Sequence, residues 1–77
     1  MKQNHRDFIR EAGQEASTLL MDGYRLTANW SDSSSKTIHF FMRHALNGAR
    51  IHIKVQSVGY QIIRNGIIVK EVSNGVK

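Results

Sequence analysis

Two Asn-Gly pairs, Asn47-Gly48 and Asn65-Gly66, constrain this chain more than any other feature. Both residues of such a pair tolerate the positive φ of a type I′ turn, so each pair between alternating segments predicts a hairpin. A two-residue loop at Asn47-Gly48 sets one register. Leu46 then faces Ala49, His44 faces Ile51, Met42 faces Ile53 and Phe40 faces Val55. Those pairs, extended by Ile38, form an apolar face. The opposite face pairs Ala45 with Arg50, Arg43 with His52 and Phe41 with Lys54. A slip of one residue exchanges the faces and puts Phe41 in the core with Phe40 outside.

Asn65-Gly66 repeats the pattern. It pairs Arg64 with Ile67, Ile62 with Val69 and Tyr60 with Glu71 on one face, and Ile63 with Ile68 and Gln61 with Lys70 on the other. With Val55 beside Ile62, the residues Tyr60, Ile62, Ile67 and Val69 join the core. Ile63, Ile68 and Lys70 then join the basic face.

Upstream the period changes. Phe8, Ile9, Ala12, Ala16, Leu19 and Leu20 recur at spacings of three and four, which predicts a helix over residues 4–22 with one apolar stripe. Asn4 with Asp7 forms a capping box, and Gly23 suits the position past the helix end. From Tyr24 the period is two: Tyr24, Leu26, Ala28 and Trp30 alternate with polar residues, as in a half-buried strand. SDSSSK turns the chain into a second strand, KTIHFFMRHA, and the tail SNGVK is expected to fray. The expected fold is α+β, a single domain over 1–77, with one N-terminal helix packed on a four- to five-stranded antiparallel β-meander. One helix covers only one face of such a sheet.

The uncovered face is then the functional candidate. It carries Arg25, His39, Phe41, Arg43, Arg50, His52, Lys54 and Lys70, with Ile63 and Ile68 beside them. The net charge of +5 is lopsided: residues 1–32 sum to −1 and residues 33–77 to +6, with Glu71 the single acid of the second segment. Cations neutralise phosphates and an exposed ring stacks on a base. The expected partner is nucleic acid or a nucleic-acid-associated protein, met by a non-enzymatic binding module. The rival reading is a small inhibitor of a bacterial nucleic-acid-targeting protein, of the kind phages and mobile elements carry. Phe41 under the stem of Lys54 is the plainer account of that ring. Ile63 and Ile68 suit a protein contact, and the sheet edges offer a homodimer through a strand.

Other chemistries find little support. There is no cysteine. His44 and His52 point to opposite faces, so no metal site and no cofactor is expected. Five of six acids precede residue 33, and no nucleophile elbow or phosphate-binding glycine loop appears. No apolar run is long enough to cross a bilayer and no secretory signal is evident, so the expected location is cytoplasmic. The basic sheet beside a helix is loosely similar in layout to bacterial toxin ribonucleases. Metal-free RNA cleavage on such a face would use His52 or His39 as a base, with Arg43, Arg50 and Lys54 on the phosphate. The opening MKQNHRDFIREA resembles the capsid-targeting leader of internal proteins of T4-type phages through Met1, Lys2, Asp7, Phe8, Ile9, Glu11 and Ala12. It implies processing after Glu11.

Overall fold

The computed structural model describes residues 3–73 of the 77. One helix, α1 (His5–Met21), is followed by β1 (Tyr24–Asp32), β2 (Thr37–His44), β3 (Arg50–Gln56), β4 (Gly59–Arg64) and β5 (Ile67–Ser73). The strands form one antiparallel sheet in chain order, so the α+β meander is as expected. β5 takes in Ser73; the rest of the tail, residues 74–77, lies outside the described residues.

Asn4 caps α1: its side chain accepts from the N–H of Asp7 at 3.0 Å, and the Asp7 carboxylate accepts from the N–H of Asn4 at 3.2 Å. The helix lies against β1, β3 and β4. Phe8 and Ala12 are fully buried, with Ile9, Ala16 and Leu19 packed around them. Beneath sit Tyr24, Met42, Ile51, Ile53, Val55, Tyr60 and Ile62, flanked by Ile38, Phe40 and Val72. Phe8 meets Tyr60 edge-on at 6.4 Å. Packing therefore accounts for Phe8 and Ala12 of the leader-like motif. Met1 and Lys2 of that motif lie outside the described residues.

Four pairings differ from expectation. The first hairpin does not turn on two residues. Arg43 pairs with Arg50, Phe41 with His52 and Phe40 with Ile53, a shift of two. His44 is the cause. Its Nδ1 accepts from the N–H groups of Leu46 and Asn47 at 3.1 and 3.3 Å, while Nε2 donates to the Asp22 carbonyl at 3.0 Å. One imidazole thus caps a longer loop and ties it to the end of α1, leaving Leu46 exposed rather than in the apolar face. A shift of two preserves which side chains share a face, so Phe41 stays opposite the helix and Phe40 beneath it. β3 and β4 also pair two residues away from expectation, Val55 with Tyr60 and Ile53 with Ile62, again with faces kept.

The other two differences are bulges, and they reverse faces. In β1 the register shifts between Leu26 and Ala28, so Ala28 and Trp30 stand opposite Phe41 and His39 instead of in the core. In the last hairpin Asn65 and Gly66 take φ of 49° and 86°, the expected tight turn. Beyond Ile63–Ile68, however, Lys70 pairs with Ile62 and Val72 with Tyr60. Lys70 therefore lies on the helix side, bonded to Glu15 of α1, and that bond pushes its pKa up. Ile67 and Val69, expected in the core, are 68% and 57% exposed. At Gly59, paired with Ser73, an added Cβ would come within 2.1 Å of the Val72 carbonyl oxygen, so only glycine lets β4 and β5 close there. Among the described residues no helix is long and apolar enough to cross a membrane.

Candidate nucleic-acid interface

The face away from α1 is ordered in rows across the strands. Arg25, Arg43 and Arg50 stand abreast on β1, β2 and β3. Two residues along lie Ala28, Phe41, His52, Ile63 and Ile68, one from each strand. The next row is Trp30, His39, Lys54, Gln61 and Glu71. Seven of the eight residues expected here from sequence are brought together. Lys70 is the exception, removed by the β5 bulge. Trp30 is the residue that sequence reading missed, since its alternation with Tyr24 and Leu26 assigns it to the core.

The arginine row is costly. Like charges directly opposite each other in a sheet repel, and here there are two such pairs side by side. Among the described residues, ion pairs join Arg10 to Asp7 and Lys70 to Glu15, both away from this face. Among those residues Arg25, Arg43, Arg50 and Lys54 have no carboxylate partner. Glu71, in the row of Trp30 and Lys54, accepts from the Gln61 amide at 2.7 Å. Of the other described acids, Asp7, Glu11 and Glu15 belong to α1, Asp22 caps its end and Asp32 closes β1 at the rim of the sheet.

The rings form a continuous strip. Trp30 stacks on His39 with centroids 4.1 Å apart, and Phe41 stacks on His52 at 4.3 Å. His39 and His52 meet edge to edge through Nδ1 and Nε2, 2.9 Å apart. Trp30 remains 52% exposed. Beyond Phe41 an open groove of about 470 Å³ is lined by Phe41, Arg43, Arg50, Ile63, Asn65 and Thr27.

The histidine bond restricts protonation. One nitrogen must donate and the other must accept, so the intact pair holds at most one positive charge. Burial, then the charges of His39 and Lys54, pull the His52 pKa below its ordinary 6.5. The unfolded chain therefore binds this proton more readily than the folded one. Stability from this group is complete above about pH 6.5 and is lost as pH falls through the lower folded value. The urea midpoint is expected to drop between about pH 7.5 and about pH 5, and to drop less in His52→Gln. Equal pH profiles for the two proteins would assign the loss to other groups.

Among the described residues no three of His, Cys, Asp or Glu converge on a point. What the face presents is a cationic row, a stacked aromatic strip and a groove where the two meet. No protein-family model, no curated protein and no solved structure matches this chain.

Proposed function

We propose that the open sheet face binds single-stranded nucleic acid. The observation that supports this most is the joining, on one face, of three arginines without acid partners among the described residues and a strip of four rings. An anionic partner relieves the repulsion within the row, and bases stack on rings with little regard to sequence. A duplex is the poorer fit. The face is a broad sheet without a protruding helix or ribbon to enter a major groove, and paired bases hide the faces that rings need.

Trp30 is the single tryptophan of the chain, so its fluorescence reports directly on this face. Single-stranded DNA or RNA is expected to quench it saturably, with affinity falling as salt rises. Trp30→Ala, followed by anisotropy of a labelled strand, is expected to cost about 1–3 kcal/mol of binding, the worth of one stacked base. An unquenched tryptophan at low salt would sink the proposal.

A second reading rests on β5. Ile67, Ile68 and Val69 are all more than half exposed along a sheet edge, which suits docking on a protein, as an inhibitor would. It predicts a protein complex lost in Ile68→Lys and indifferent to Trp30→Ala. Ribonuclease activity requires a free base and a free acid on either side of a phosphate. His39 and His52 each commit one nitrogen to the other. Recovery of uncut RNA after binding is the outcome a binding module predicts.

A further inference from the structure

The groove beside Phe41 is more specific than the face around it. We propose that it is a subsite for one nucleotide, with the base laid against Phe41 and Ile63 and the phosphate held by Arg43 and Arg50. The inference rests on the nucleic-acid reading of this face and goes further: one position of a bound strand is held apart from the others, and a free nucleoside monophosphate binds as well.

Three features carry it. The first is size. About 470 Å³ lies within the range of small-molecule sites, roughly 300–1,000 Å³, whereas a surface that merely tracks a backbone needs no such hollow. The second is spacing. Phe41 and His52 sit two residues from Arg43 and Arg50 along β2 and β3, roughly 6.8 Å, the order of separation that a ribose places between base and phosphate. Both arginines face the groove without a carboxylate among the described residues, so their charge is available to an anion. The third is Asn65. Its Oδ1 accepts from the N–H of Arg50 at 2.9 Å, and its own N–H donates to the Arg50 carbonyl at 3.0 Å. The side-chain amide is thereby anchored at the groove wall, and its NH₂ group has no partner among the described residues. It is a donor for a carbonyl or ring nitrogen on a base edge. An apolar occupant would satisfy none of the three groups.

The test is a set of backbone NMR titrations of the whole protein with uridine monophosphate, ribose 5-phosphate and inorganic phosphate. Uridine monophosphate is expected to move the Arg50, Asn65 and Gly66 signals saturably, while the two phosphates without a base move them much less. Ile63→Phe, which fills the groove on an open face, is expected to abolish those shifts. Equal shifts and equal affinity for inorganic phosphate would make the groove a bare anion site and overturn the proposal. So would an unmoved spectrum with uridine monophosphate in a protein whose Trp30 is still quenched by a strand; the broader reading would then survive alone. Shifts with the mononucleotide but no quenching by any strand would keep the subsite and remove the broader reading. These ligand comparisons use the unaltered protein, so they decide the matter even if Ile63→Phe does not fold.

Discussion

Replacing Arg25, Arg43 and Arg50 together by glutamine is expected to weaken binding of single-stranded nucleic acid about 100-fold at roughly 0.1 M salt. The magnitude follows from counterion release. Each neutralised phosphate of a single strand contributes about 0.7 to the slope of log affinity against log salt, so three contacts contribute about 2. The slope should fall by that amount in the triple variant. Stability should move the other way. Glutamine keeps the aliphatic stem that covers the sheet while removing two repulsive cross-strand pairs. The urea midpoint is therefore expected to stay level or rise. Opposite signs for binding and stability mark a row kept for a partner. If the midpoint fell and affinity held, the guanidinium groups would be structural, and the proposed interface would be wrong.

Phe8→Ala is expected to cost about 3–5 kcal/mol of folding stability. The ring is fully buried and edge-on to Tyr60, at the point where α1 covers the sheet. A domain of 77 residues has roughly 4–12 kcal/mol in total at about 0.05–0.15 per residue, so this one side chain accounts for a large part of it. At about 4–8 °C per kcal/mol, the thermal midpoint should fall by at least about 12 °C. Phe41→Ala is the matched control. Its ring lies on the open face, and its loss should cost much less stability while impairing binding. Were the two costs equal, the division into a covered and an open face would not describe the folded protein.

Much of this architecture is legible in the chain because faces depend on parity. Alternation along β2, β3 and β4 assigns Phe40, Met42, Ile51, Ile53, Val55, Tyr60 and Ile62 to the helix side. The structure agrees even though two of the pairings differ from those read from the turns. The capping box at Asn4 and Asp7, the Asn65-Gly66 turn and the helical stripe are likewise local signals with local causes. The loop at Asn47-Gly48 is not local. Its length is set by His44, whose ring bonds at once to the loop and to the end of α1.

The bulges lie beyond such reading. An extra residue in a strand leaves the alternation of residue types untouched, and only the pairing partner reveals it. In β1 a bulge takes Trp30 from an expected place in the core to a stack on His39, which extends the rings of His39, Phe41 and His52 to a strip of four. In β5 another takes Lys70 off the basic face and hands it to Glu15, 55 residues earlier in the chain. Composition and period thus point to one helix, four or five strands and a cationic face. Which rings and which cations that face finally holds is settled by contacts between distant segments, because each bulge is a choice of partner across the sheet.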